Sequence, residues 1–145
     1  MPRKSVLIVD DDPDQHVLGG LYLEHAGYAV LHASNGLEGY WIARSARPSL
    51  VLMDMRMPEL DGASSFRLLA SDPDTRGIPV VAVTADVVHW PESRSLREGF
   101  AGHVSKPCDL VRILEVVQRV IGPADEPSLP AHVPFAAVSP ALALG

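Results

Sequence analysis

Leu50-Val51-Leu52-Met53-Asp54-Met55-Arg56-Met57-Pro58 is an apolar, β-prone run that ends on a carboxylate and breaks at a proline. A strand of this kind delivers Asp54 to the rim of a sheet. Val6-Leu7-Ile8-Val9 runs into Asp10-Asp11-Asp12-Pro13 in the same way. If the two strands are parallel neighbours, several carboxylates share one crevice. Like charges at such range resist ionisation unless a cation sits among them.

Working outward, short β-branched runs alternate with longer helical segments, which implies βαβ units and a parallel sheet. Strands are expected near 5–9, 28–33, 49–53, 79–84 and 101–104, and helices near 13–26, 36–46, 61–71, 91–98 and 108–121. In the first helix Val17, Leu18, Leu21 and His25 recur at helical spacing, and Gly27 supplies a stop. In the last, Leu110, Ile113, Leu114, Val117, Val120 and Ile121 form one apolar stripe ended by Gly122-Pro123. Central strands such as Pro79-Val80-Val81-Ala82-Val83 are apolar throughout, which suits strands covered on both faces. The fold class is therefore α/β, a doubly wound five-stranded parallel sheet with five helices and its ligand site outside the carboxyl ends of the strands.

The chain has 145 residues, 47% of them hydrophobic, enough for one full core in one domain over residues 1–122. Residues 123–145 carry Pro123, Pro127, Pro130, Pro134 and Pro140 among Ala and Ser, and read as a flexible tail. A net charge of −6 and no basic run argue against nucleic acid as a partner. No apolar stretch approaches the roughly 20 residues that span a bilayer. Met1-Pro2-Arg3-Lys4 lacks the pattern of a signal peptide, and Cys108 is the single cysteine. A cytoplasmic protein with no membrane partner is the expectation.

Four strand ends carry the chemistry: Asp10 and Asp11, then Asp54, then Thr84, then Lys106 followed by Pro107. Phosphoryl transfer gives each a task. A carboxylate, Asp54, suffices as nucleophile for an acyl phosphate. Mg2+ takes about six oxygens and few protein ligands, so Asp11, Asp54, one backbone carbonyl and waters would serve. The Arg56 carbonyl is the natural backbone candidate. Lys106 would balance charge on the phosphoryl oxygens, and the Thr84 hydroxyl would donate to them. Asp12 and Asp61 are read as helix caps.

With Val6–Asp12 (VLIVDDD), Val51–Gly62 (VLMDMRMPELDG), Val80–Ala85 (VVAVTA) and Val104–Pro107 (VSKP) in place, the chain resembles the receiver domain of two-component response regulators over residues 5–121. The resemblance implies a flavodoxin-like sheet in order 2-1-3-4-5. It implies Asp54 as phosphoacceptor, Asp10 and Asp11 holding magnesium, and Thr84 and Lys106 contacting the phosphoryl group. It also implies a histidine kinase or histidine phosphotransfer protein as donor. A downstream protein would be met through the fourth helix, fifth strand and fifth helix. Some similar proteins dimerise through that face, and Val111 and Val116 are the candidates for it here. The Lys106–Pro107 bond is expected to be cis, as the low penalty at X–Pro allows.

The chain departs from the pattern at His103, where similar proteins carry Tyr or Phe that moves with Thr84. A smaller, titratable ring implies a weaker or pH-sensitive switch, and the simplest reading of His103 is a packing or surface residue. Cys108 stands where an apolar residue is usual, and is expected to pack. Asp86-Val87-Val88-His89-Trp90-Pro91 places apolar residues in the loop before the fourth helix, which should begin late and be short. Trp41 is expected to be half-buried, while Trp90 is equally suited to packing and to partner contact. Three alternatives are weaker. An aspartyl-phosphate hydrolase tends to carry an acid where Arg56 stands, and a nucleotide binder needs a Gly-rich loop where Asp10-Asp11-Asp12 would repel phosphate. A pseudo-receiver that ignores phosphate is at odds with the intact acidic site.

Overall fold

The computed structural model describes residues 3–57, 60–107 and 109–124. The expectations for Cys108 and for the tail beyond Ala124 fall outside them. Among the described residues five strands and five helices alternate: β1 Ser5–Val9, α1 Pro13–His25, β2 Ala29–Ala33, α2 Gly36–Ala46, β3 Leu50–Asp54, α3 Gly62–Ser71, β4 Val80–Thr84, α4 Glu92–Glu98, β5 Gly102–Ser105 and α5 Leu110–Ile121. The strands pair in parallel in the order β2-β1-β3-β4-β5. β1 and β3 are thus neighbours, with Val9 in register with Met53, so the residues after each emerge side by side.

Side-chain alternation along the strands divides the core in two. Leu7, Val9, Val51, Met53, Val80 and Ala82 face one way, against Ala43 of α2, Leu69 of α3 and the aromatics Trp90 and Phe100 that flank α4. Val6, Ile8, Leu50, Leu52, Val81, Val83 and Val104 face the other way, against Leu23 of α1 and Ile113, Val116 and Val117 of α5. Asp12 caps α1 by accepting from the Asp14 N–H at 2.9 Å, and Asp61 caps α3 by accepting from Ser64 at 2.8 Å, as expected. α4 is late and short, but Pro91 is its N-cap residue, one position before the first turn, with no side-chain hydrogen bond.

The helix α1 stands where its spacing places it, while two readings in other helices are corrected. The apolar spacing of α1 is not its buried face, because Val17, Leu18 and Leu21 are 57%, 56% and 64% exposed. α1 lies on the sheet through Gly19, Gly20 and Leu23; a Cβ on Gly20 would stand 3.0 Å from the His32 ring. Close approach through glycine turns the helix so that Val17, Leu18 and Leu21 face outward. α2 repeats the device with Gly36, Gly39 and Ala43 inward, which leaves Trp41 exposed, edge-on to Tyr40 at 5.1 Å. In α5, Val116 is fully buried in the core and cannot serve a dimer face, whereas Val111 is exposed.

At the pole where the strands begin, Lys4 Nζ donates to the Ile121 and Pro123 carbonyls at 2.8 and 3.0 Å, and the Tyr28 hydroxyl donates to the Gly122 carbonyl at 2.7 Å. These bonds pin the end of α5 to β1 and β2. Gly122 turns the chain there with φ of 80°, a conformation glycine adopts without strain.

Candidate phosphoryl-acceptor site

The carboxyl ends of β1 and β3 bring Asp10, Asp11 and Asp54 together. One ligand oxygen from each lies within 4.8 Å of the others, with Asp10 and Asp54 buried and Asp11 exposed. The chain fixes these groups locally. The Asp12 N–H donates to Asp10 Oδ1 at 2.9 Å, and the Arg56 N–H donates to Asp54 Oδ1 at 3.1 Å. Each short turn thus folds back over its own carboxylate. The Met55 N–H donates to the Val83 carbonyl at 3.1 Å, which carries the β3–β4 ladder past Asp54 before the loop departs.

Gly62 explains how the loop closes. A Cβ there would stand 2.4 Å from the Asp54 carbonyl oxygen and 2.7 Å from Met55 Cα. The first turn of α3 is therefore packed directly on the peptide that carries Asp54, a contact with room for glycine alone.

Lys106 reaches in from the end of β5. Its Nζ donates to Asp10 Oδ2 at 3.3 Å and stands 3.8 Å from Asp54 Oδ2. The Lys106 N–H is bonded to the Thr84 carbonyl at 2.7 Å, and the Lys106–Pro107 peptide is cis. Thr84 is fully buried, and its Oγ1 accepts from the Asp86 N–H at 2.9 Å. A hydroxyl that accepts one N–H still has its own proton to donate.

Burial is the largest influence on Asp54 and pushes its carboxyl from the ordinary 3.8 up to about 6. The Arg56 N–H opposes this, Asp10 adds to it, Lys106 opposes it, and Asp11 adds to it. Three carboxylates facing one ammonium leave an excess of negative charge when all are ionised. That is the donor set a hard divalent cation requires: oxygen ligands, uncompensated charge, and one exposed member open to water. The residues present fit Mg2+.

Two groups near the site carried no sequence signal. His16 Nε2 lies 2.7 Å from the Asp10 carbonyl oxygen, and His16 Nδ1 lies 2.8 Å from His32 Nδ1. The carbonyl can only accept, so His16 carries its proton on Nε2 and links Asp10 to the edge strand β2 through His32. Nothing in the spacing of His16 and His32 announces that contact, which depends on how α1 is rotated. His103, expected as a switch residue with Thr84, is buried at 3% exposure on β5. Its ring is bonded to Ser95 of α4 and Ser105 of β5. Trp90 is buried too, its Nε1 donating to Ser95 Oγ at 2.7 Å and its ring edge-on to Phe100 at 5.9 Å. It packs, and the exposed apolar residues of that loop are Val87 and Val88.

The chain is similar to known proteins in both sequence and fold. The family described as response regulator receiver domain matches residues 6–118. The polar-differentiation response regulator DivK of Brucella anthropi is 37% identical over 121 residues, covering 83% of this chain and 98% of its own. Among solved structures, the receiver domain of the sensor histidine kinase PA1611 from Pseudomonas aeruginosa, with a magnesium ion in its active-site cleft, superposes with a TM-score of 0.74 at 28% identity, covering 82% of this chain and 98% of that one. The signal receiver domain of a histidine kinase from Syntrophus aciditrophicus gives 0.74 at 32% identity, covering 90% and 98%.

Proposed function

The chain belongs to the response regulator receiver family, and from that premise we propose that Asp54 is the residue that takes up the phosphoryl group. The observation that carries the assignment is the joint placement of Asp54 with Asp10, Asp11 and Lys106 at one sheet edge. Phosphorylation-dependent signalling is the function; the donor is a histidine kinase or a histidine phosphotransfer protein. An Asp54 carboxylate oxygen forms the new bond to phosphorus as the bond from phosphorus to the donor breaks, and the donor group leaves with its electron pair.

The residues have distinct parts in that step. Asp10, Asp11, Asp54 and the Arg56 backbone carbonyl would hold Mg2+, whose chemistry is to neutralise charge on the oxygens it binds. Lys106, already within ion-pair range of Asp54, offers its ammonium to the new phosphoryl oxygens. Thr84 turns its hydroxyl proton toward them, and its movement is the start of the switch. The Arg56 N–H holds the carboxylate in one orientation. The acyl phosphate hydrolyses slowly and the protein turns over no separate substrate.

The receiver unit is residues 1–122, and the face of α4, β5 and α5 meets the downstream partner or a second copy. Val111 remains a candidate for that contact, being exposed on α5. No helix among the described residues is long and apolar enough to cross a membrane, and a cytoplasmic site of action fits a kinase partner. Intact-mass measurement after incubation with acetyl phosphate and magnesium tests the assignment. One phosphoryl group should be gained by the native chain and none by Asp54→Asn; labelling of that variant would move the acceptor elsewhere.

A further inference from the structure

α4 is attached to the rest of the fold in an unusual way. It has seven residues, no side-chain cap at its start, and one buried residue, Ser95. Leu96, the aliphatic residue of the helix, is 56% exposed. The helix therefore presents a hydroxyl to the core where a helix ordinarily buries an aliphatic side chain, and its seat depends on what that hydroxyl meets.

It meets a relay with a defined direction. The indole Nε1 of Trp90 is a donor only, so Ser95 Oγ accepts from it at 2.7 Å. The hydroxyl proton is then available to His103 Nδ1, 2.8 Å away. Among the described residues no other acceptor is bonded to this buried hydroxyl, so His103 Nδ1 accepts, and the ring carries its proton on Nε2 and donates it to Ser105 Oγ at 3.1 Å. Each contact is satisfied with His103 neutral. Arg94 closes the outer side, its guanidinium 3.9 Å above the Trp90 ring, donating to the His89 carbonyl and paired with Glu98 at 2.8 Å.

We propose that the Trp90–Ser95–His103–Ser105 relay is the latch that seats α4 on β5, that Ser95 is its positioning residue, and that it holds only while His103 is the neutral Nε2–H tautomer. A second proton on the ring removes the acceptor at Nδ1. Ser95 would then have to accept from both Trp90 and His103, and the site would hold a buried cation. The charged groups around the ring do not offset this. Glu92 of α4 favours the cation, Arg112 of α5 opposes it, and burial, the largest influence, depresses the His103 pKa. Asp109, at the start of α5, lines the same cleft of about 430 Å3 and is engaged in capping the Arg112 N–H at 2.8 Å. Release of α4 would shift Leu96 and the loop carrying Val87 and Val88, and so alter the face proposed above for partners. That last consequence rests on the receiver reading; the latch itself does not.

The test uses the full chain labelled with 15N-histidine, titrated from about pH 8 to about pH 5, with hydrogen exchange of α4 amides followed in parallel and corrected for the intrinsic pH dependence of exchange. His103 should show a protonated Nε2 and a bare Nδ1 at high pH. Exchange in α4 should accelerate in step with its second protonation while α2 is unchanged. Ser95→Ala, checked for an intact fold by circular dichroism, should accelerate α4 exchange about tenfold at neutral pH and remove its link to the His103 titration. A protonated Nδ1 at high pH, α4 exchange indifferent to His103 protonation, or unchanged exchange in Ser95→Ala would each overturn the latch. Acetyl phosphate labelling of the same samples keeps the two readings apart: failure to label would count against the receiver reading and leave the latch standing.

Discussion

Lys106 Nζ stands 3.8 Å from Asp54 Oδ2, close enough to pair in charge but too far to be a hydrogen bond. Its hydrogen bond goes to Asp10 instead, at 3.3 Å. The ammonium thus reaches Asp54 without occupying it, and it holds the Asp54 pKa below where burial alone would put it. Lys106→Ala should move the titration of Asp54 upward from about 6. Carboxyl 13C NMR of metal-free protein measures this directly, and a titration that stayed put or fell would remove Lys106 from the site's electrostatics.

The same elevation predicts a stability effect with a definite sign. A carboxyl whose folded pKa is raised binds its proton more tightly in the fold than in the unfolded chain. Its ionisation therefore destabilises the fold as pH rises from about 4 to about 6, the cost being fully present above that window. Asp54→Asn removes this component and should stabilise metal-free protein at neutral pH by about 2 kcal/mol. The gain should shrink to nothing at low pH. Thermal melts of the two proteins across that range check it, as carboxylates away from the cluster contribute equally to both.

Asp11 is the exposed member of the cluster, so its loss should weaken cation binding while leaving the fold unchanged. Asp11→Asn should lower Mg2+ affinity by about tenfold or more in a calorimetric titration, with an unaltered melting temperature in the absence of metal. Equal affinity in the two proteins would exclude Asp11 from the ligand set.

Gly62→Ala places a methyl against backbone that cannot yield, 2.4 Å from the Asp54 carbonyl oxygen. Either α3 or the loop after Asp54 must shift. We expect a loss of about 1–3 kcal/mol in a denaturant titration and slower labelling by acetyl phosphate at saturating magnesium. Labelling at the native rate would show the loop's position to be unimportant.

The rotation of α1 separates two leucines that sequence alone treats alike. Leu23→Ala should cost about 2–5 kcal/mol, since Leu23 is fully buried. Leu21→Ser should change stability by less than about 0.5 kcal/mol, being 64% exposed. Denaturant midpoints decide between this and the reverse order, which the spacing of Val17, Leu18 and Leu21 would suggest.

That contrast also marks what the sequence disclosed. The sheet and the strand-end carboxylates were legible because apolar runs of strand length ended on Asp10 and Asp54, and the order of strands followed from the resemblance. The caps at Asp12 and Asp61 were local and equally plain. Helix rotation was not, because in α1 and α2 most of the inward positions are glycines. A residue without a side chain contributes nothing to an apolar pattern, so Leu18 and Trp41 drew attention to faces that point outward. Val116 differs for the opposite reason: α5 buries a wider arc than the stripe from Leu110 to Ile121 outlines. The contacts of Ser95, His16 and His32 depend on how separate helices meet the sheet, and no spacing in the chain encodes them.

The bonds from Lys4 and Tyr28 to the carbonyls around Gly122 have a practical outcome for anyone attaching cargo to this protein. The described chain leaves the domain at the far pole from Asp54, with its exit fastened by three long-range contacts. A reporter joined directly after Ala124 therefore departs from the pole opposite the Asp10, Asp11 and Asp54 cluster.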